Sequence, residues 1–397
     1  MADYVIILGA GASAPYGIPV MRSFLDKARE LYSSGRISPK HEGAFGSVFE
    51  AIANLQRVHS KITLDITNLE SVFTTFETAI ALNTFPGLSH SQINQLPDDL
   101  RQVIVSTIEH STLPFPLNEK GAMAAPEKTI PFRGRDVQMS GLGTLLRKLS
   151  NKAPNAREPT VAFITFNYDL LVETMMAVHG IEADYGLKKT GPTPESSDIA
   201  IDQEKSRLPL LKLHGSVNWL RTRKTASVVP FSVFDYIRNP DSRSHDPLPA
   251  SGPRQRWQPE RLPSIGDLVK ENARERYESL LPVIIPPSWN KAKDILDLQQ
   301  VWARAAKELA EASSVFVVGY SLPITDTFFQ QLLALGTTSD VLIKRFAVYD
   351  LNEGPRERFR SLLGPGALNR FSFEVRHCFS AFDEIYEIIK SENYKNQ

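Results

Sequence analysis

The sequence contains a single cysteine, Cys378, in 397 residues. No disulfide can form within the chain, and a zinc site built from four cysteines is impossible. The eight histidines include no pair spaced four apart, which removes the usual helical zinc motif. His377 beside Cys378 reads as chance adjacency rather than a ligand pair, so no metal is expected. Net charge is also lacking: 45 basic side chains balance 45 acidic ones. Holding nucleic acid by bulk electrostatics needs clustered Lys and Arg, so strong direct nucleic-acid binding is not expected. No run approaches the roughly 20 apolar residues of a membrane span. The first residues carry Asp3 rather than a basic leader segment, so the expectation is a cytoplasmic protein without membrane contact. Internal repeats and low-complexity tracts are missing as well.

What the sequence does have is a series of short apolar runs of strand length. They cover residues 5–8, 161–166, 209–213, 281–285, 314–318, 345–349 and 371–375. Helical spacing lies between them, at residues 21–31, 67–82, 141–149, 170–178, 292–312, 325–335 and 381–389. Pro19 suits the first turn of the helix that follows it. Thr67 with Glu70 three residues on has the form of a capping box. Strand, polar cluster and helix alternate. This predicts an α/β fold with a Rossmann-like, mostly parallel sheet and helices on both faces. The whole chain, residues 1–397, is read as a single domain with two insertions. One, over 44–150, is largely helical with a loop at 111–138. The other, over 221–280, is rich in proline and mixed charge and reads as irregular surface.

The polar clusters follow the apolar runs. Gly9-Ala10-Gly11-Ala12-Ser13-Ala14 matches G-x-G-x-x-(G/A), in which glycines let backbone amides approach a pyrophosphate at a helix start. The same residues could make a plain strand-to-helix turn. A standard dehydrogenase is disfavoured, because no strand ending in Asp or Glu follows about 20 residues on. Asn167 and Asp169, behind Phe166 and around Tyr168, could cap a helix or line a pocket. His214, in Lys-Leu-His-Gly-Ser, could be a buried and satisfied histidine or a general base working near neutral pH. Gly319-Tyr320-Ser321 and Asp350-Leu351-Asn352 end two further strands. In open parallel sheets ligands bind outside the carboxyl ends of the strands, so all five clusters point to one edge.

In this order, GAGAS (9–13), GIPVMR (17–22), TFNYD (165–169), HGS (214–216), GYS (319–321) and YDLN (349–352) resemble the sirtuin family of NAD-consuming proteins. The resemblance implies a sheet of the sirtuin type. It implies that Gly9, Ala10, Gly11 and Ser13 hold the NAD pyrophosphate and that Arg22 lies in a mobile loop over the cofactor. Asn167 and Asp169 would line the pocket for nicotinamide and its ribose, with His214 as catalytic base and Asn167 positioning water or ribose. Gly319, Ser321 and Asn352 would hold the adenosine half. Phe166, Tyr320 and Asp350 join the binding set as neighbours in the same clusters.

The departures point in one direction. The four-cysteine zinc ribbon of sirtuin deacylases has no counterpart here, and G-I-P-D-F-R is replaced by Gly17-Ile18-Pro19-Val20-Met21-Arg22. KLHGSVNWL (212–220) and IIPPSWNK (284–291) are similar to bacterial sirtuin-like proteins of antiviral defence. That likeness implies an NAD+ glycohydrolase that depletes NAD+, releasing nicotinamide and either ADP-ribose or cyclic ADP-ribose, with a HerA-type ATPase or DNA translocase as partner. An NAD or ADP-ribose sensor and an NAD-dependent protein deacylase are the alternatives. The apolar faces of the helical insertion must be buried on the sheet or on another subunit, and a homo-oligomer is expected.

Overall fold

The structure, a computed structural model, describes residues 2–57, 64–112, 128–132, 135–139, 141–150, 160–187, 206–222, 228–238, 280–285, 296–324, 326–336 and 341–395. The strands among them are β1 (Tyr4–Leu8), β2 (Lys128–Phe132), β3 (Arg135–Met139), β4 (Val161–Thr165), β5 (Ile181–Asp184) and β6 (Ser206–Lys212). They continue with β7 (Gly215–Thr222), β8 (Val228–Pro230), β9 (Leu280–Ile284), β10 (Ser314–Val318), β11 (Arg345–Asp350) and β12 (Phe371–Val375). Seven form one sheet in the order β12-β11-β10-β1-β4-β6-β5. Every pairing in it is parallel. With the edge strand β5 set aside, this is the doubly wound order. The chain runs outward from β1 in one direction, then returns to β10 and runs outward in the other.

Alternation along the buried strands supplies two faces. Val5, Ile7, Ala162, Ile164, Val315, Val317 and Val348 meet the helices Gln299–Glu311 and Thr327–Gly336 on one side. Ile6, Leu8, Phe163, Phe316 and Tyr349 meet the helices Leu142–Ser150, Leu171–Val178 and Cys378–Lys395 on the other. A separate core joins the helices Phe24–Ser33, Glu42–Arg57, Leu69–Leu82 and His90–Ser111. It closes on Val217, Leu220, Phe231 and Ile284 of a small antiparallel sheet, β8-β7-β9, and its flank. Among the described residues, much of the apolar surface of these helices is buried within the chain.

Several sequence expectations need correction. Within residues 111–138, expected as loop, Lys128–Phe132 and the strand from Arg135 form the antiparallel pair β2 and β3. Pro131 and the polar neighbours obscure an alternating hairpin pattern there. The 281–285 run joins β7 in the small sheet instead of extending the parallel one. Strands β5 and β7 were not anticipated, because IEAD and GSVNWLRT carry polar residues through their length. The helix expected from residue 21 begins at Phe24, beyond Pro19. Asn68, not Thr67, caps the Leu69–Leu82 helix: its Oδ1 accepts the Glu70 amide at 2.9 Å, while the Thr67 hydroxyl donates to Asp65. Of the 221–280 insertion, residues 223–227 and 239–279 lie outside the described residues, as do 292–295 of the expected 292–312 helix.

Candidate functional site

The register of the parallel sheet sets the site. Leu8 pairs with Thr165 and Val318, Thr165 with Lys212, and Val318 with Tyr349. The next residue on each strand therefore falls in one row across the carboxyl edge: Leu213, Phe166, Gly9, Gly319 and Asp350. Backbone hydrogen bonds continue the ladder one step past the strands, from Leu213 N to Thr165 O, Phe166 N to Leu8 O, Gly9 N to Val318 O and Gly319 N to Tyr349 O. The five clusters singled out in the sequence thus stand side by side.

At the centre, where the winding direction reverses, two glycine turns touch. The Gly11 amide donates to the Gly319 carbonyl at 2.8 Å. A Cβ on Gly9 would lie 2.5 Å from the Gly319 oxygen, and one on Gly319 would lie 2.3 Å from the Ala12 nitrogen. Gly319 also holds a φ of +62°, which favours glycine. The glycines are required first by each other. Behind them Ala10 to Ser13 form one helical turn, with Ala10 and Gly11 half-buried and Ser13 buried.

Asn167 is tied into this turn. Its Nδ2 donates to Gly9 O at 2.9 Å and to Ser13 Oγ at 2.8 Å, while its amide donates to Thr165 Oγ1. Two residues on, Asp169 Oδ1 accepts the Leu171 amide at 3.0 Å at the start of the Leu171–Val178 helix. Asp169 thus stands at the helix start, two residues from the Asn167 that joins the glycine turn. Asp169 Oδ2 is buried without a hydrogen-bond partner among the described residues.

His214 is 5% exposed and lies in the turn between β6 and β7. Its ring meets Phe166 edge-on at 5.1 Å, and Phe166 stacks on Tyr320 at 4.2 Å. Tyr320 O–H donates to Asp326 Oδ2 at 2.6 Å, and the same oxygen lies 3.9 Å from His214 Nε2. Burial, reinforced by the Asp326 charge, pushes the Tyr320 phenol well above its ordinary value, so it acts as a donor. Gly215 permits the turn after His214: φ is +83°, and a Cβ would lie 2.0 Å from Val283 O. The His214 carbonyl accepts the Ile285 amide, and Tyr168 O–H donates to Ile285 O, which joins the small sheet to the site.

Beneath the cluster lies an ion pair. Lys212 Nζ meets Glu173 Oε1 at 2.7 Å and donates to the Asp169 carbonyl at 2.5 Å. Burial holds the Glu173 carboxyl above its ordinary value although Lys212 opposes the shift. Sequence reasoning missed Lys212, Glu173 and Asp326. A signal existed for the first two: a lysine inside the apolar PLLKL and a glutamate inside the apolar LLVETMMAV break their patterns. Asp326 follows Pro323 and precedes a helix, where an acidic residue is common.

The remaining predicted residues are more peripheral. Arg22 is exposed, near Asp65, whose carboxyl is lowered first by the Thr67 hydroxyl and further by Arg22. Ser321 is exposed, and its carbonyl accepts Arg358 Nε at 3.0 Å. Asp350 is half-buried and its Oδ1 accepts the amide of the exposed Asn352. Among the described residues, no group of three or more His, Cys, Asp or Glu is placed to hold a metal ion, and no helix is long and apolar enough to cross a membrane.

The sequence model of the SIR2-like domain family matches residues 161–263. That span includes Asn167, Asp169 and His214 and leaves the Gly9 and Gly319 turns outside it. No curated protein matches the chain. Among solved structures, a Sir2 homologue in complex with NAD is similar at a TM-score of 0.39 and 13% identity, over 99% of this chain and 91% of that one. Sir2Tm bound to a propionylated peptide is similar at 0.38 and 13%, over 97% and 92%. Strand order and register, rather than these scores, define the fold.

Proposed function

We propose that the chain is an NAD+ glycohydrolase, which cleaves NAD+ and water to nicotinamide, ADP-ribose and a proton. The observation that supports this most is the joining of Asn167 and His214, within the segment that matches the SIR2-like domain, to the glycine turns at the carboxyl edge of the sheet. In this reading the diphosphate lies over the side-chain-free floor made by Gly9, Gly11 and Gly319. The departing nicotinamide is a neutral molecule leaving a cationic ring, so the ribose carbon gains positive character in the transition state. Asp169, with one buried carboxylate oxygen unengaged among the described residues, stabilises that charge or holds the nicotinamide amide. Asn167 fixes the water or ribose hydroxyl, and His214 takes the proton as water attacks.

A glycohydrolase is favoured over a deacylase because one cysteine cannot build a four-cysteine zinc ribbon. The likeness of residues 212–220 and 284–291 to antiviral-defence proteins extends the proposal to depletion of NAD+ during infection, with a HerA-type ATPase as partner. The test is to incubate the purified chain with NAD+, with and without such a partner and DNA, and to follow nicotinamide, ADP-ribose and cyclic ADP-ribose by chromatography. Release without an acyl-peptide, cut to a small residual rate in both His214→Ala and Asn167→Ala while each variant keeps its circular dichroism, is the expected result. Binding of NAD+ without release under every condition would replace this reading with that of a sensor.

A further inference from the structure

The carboxylate that faces His214 is one the sequence does not single out. Asp326 lies immediately before the Thr327–Gly336 helix and is 3% exposed. A carboxylate so far from water is unfavourable unless donors and charges compensate it. The helix start supplies a favourable dipole. Its Oδ2 receives the Tyr320 hydroxyl at 2.6 Å and stands 3.9 Å from His214 Nε2.

The surroundings hold this arrangement. Tyr320 and His214 lie against the same Phe166 ring, one stacked and one edge-on, so the two are fixed relative to each other. Phe329, from the helix that Asp326 precedes, closes the group edge-on to both Phe166 and Tyr320. Between Tyr320 and Asp326, Leu322 has a φ of +49°, a backbone state that L-residues rarely occupy and that the surrounding packing must enforce. Among the described residues, Asp326, Tyr320 behind it, and Tyr168, whose ring centre is 6.4 Å away, are titratable groups that face His214. A separation of 3.9 Å exceeds a hydrogen bond, and catalytic pairs of this kind tighten when substrate docks.

We propose that Asp326, braced by Tyr320, is a positioning residue for His214: it draws the Nε2–H toward Oδ2, fixing the orientation and tautomer of the ring, and it stabilises the imidazolium formed when His214 accepts a proton. Asp326 stays ionised throughout and takes no proton itself. The inference rests on the reading of His214 as general base. Two measurements separate its failure from failure of that reading.

The first needs no activity. Long-range nitrogen–proton NMR spectra of the protein, with the His214 signals assigned by their loss in His214→Ala, report the state of its ring nitrogens. Asp326→Asn should move those nitrogen shifts, and unchanged shifts would overturn the inference whatever the chain does to NAD+. If Asp326→Asn does not fold, Tyr320→Phe, which removes the brace, must move the same signals or the inference fails. The second is a double-mutant cycle on nicotinamide release. Asp326→Asn should lower kcat about 100-fold, with KM for NAD+ changed less than about threefold. Combined with His214→Ala it should add no further loss, because Asp326 acts through His214. Losses that multiply in the double variant, or a kcat within about threefold of wild type in the single one, would overturn it.

Discussion

Replacing Lys212 by methionine should destabilise the protein by about 3–5 kcal/mol at neutral pH, the usual effect of removing one partner of a buried ion pair. Lys212 and Glu173 side chains are each 1% exposed and meet at 2.7 Å. Methionine keeps most of the stem, so lost packing is a minor part. The main effect is a carboxylate left without its cation, with Glu173 Oε2 already lacking a hydrogen-bond partner among the described residues. The penalty should depend on pH with a definite sign. Burial raises the Glu173 carboxyl above its ordinary value of 4.5 even with Lys212 present, and without the cation it rises further. A raised carboxylate favours the folded state at low pH, and that contribution is lost as pH rises through the folded value. The Lys212→Met variant should thus be nearest to wild type in mild acid and furthest from it in mild base. Lys212→Met/Glu173→Leu should recover most of the loss, since an apolar pair of similar volume is often neutral or better. Urea unfolding followed by circular dichroism, on three proteins at two pH values, measures all of this. A single variant as stable as wild type in mild base, or a penalty that grows on acidification, would refute the reasoning.

Further outcomes follow from single positions. Gly319→Ala should cost about 2–5 kcal/mol, combining the strain of a left-handed alanine with overpacking. Its Cβ would lie 2.3 Å from the Ala12 nitrogen and 2.5 Å from the Gly11 carbonyl carbon, so a wild-type melting temperature would show that the two turns are not so close. Cys378 should resist thiol reagents in the native protein at about pH 8, since burial pushes its thiol up to about 12. Rapid labelling before unfolding would contradict its placement in the core.

The parallel sheet was legible because its strands are short, apolar and punctuated. Buried on both faces, Tyr4–Leu8, Val161–Thr165, Ser314–Val318 and Arg345–Asp350 carry almost no polar side chains. Their boundaries differ from the expected ones by a residue or so. The small antiparallel sheet was not legible for the opposite reason. Gly215–Thr222 holds Ser216, Asn218 and Arg221, and the Nδ2 of its buried Asn218 finds partners only in the fold, Phe231 O at 2.7 Å and the Tyr185 hydroxyl at 3.1 Å. A strand whose polar groups are answered by distant partners has no local signature. The same holds for the cover on Leu69–Leu82 and His90–Ser111: the sequence could not say that residues of β7 and β9 join their core.

The site shows where a motif can be located correctly and its physical basis still differ. The Gly9–Ser13 motif lies at the crevice where the winding reverses, as its pattern implies. Yet the Gly9 and Gly11 amides are bonded to Val318 and Gly319 carbonyls, and the Ala12 amide to Gly9 O. The glycines are needed so that two turns can pass within van der Waals distance, and any ligand surface is a consequence of that closure. Gly319 is the same requirement seen from the other strand, which links two motifs 310 residues apart. Asp326 extends the logic, since its relevance to His214 arises only once Tyr320, on the Gly319 turn, is packed against Phe166, on the neighbouring side of β1. A sequence pattern finds residues that the backbone needs locally. It does not find those needed by another side chain across the sheet, and in this protein the groups that would tune the chemistry belong to that second kind.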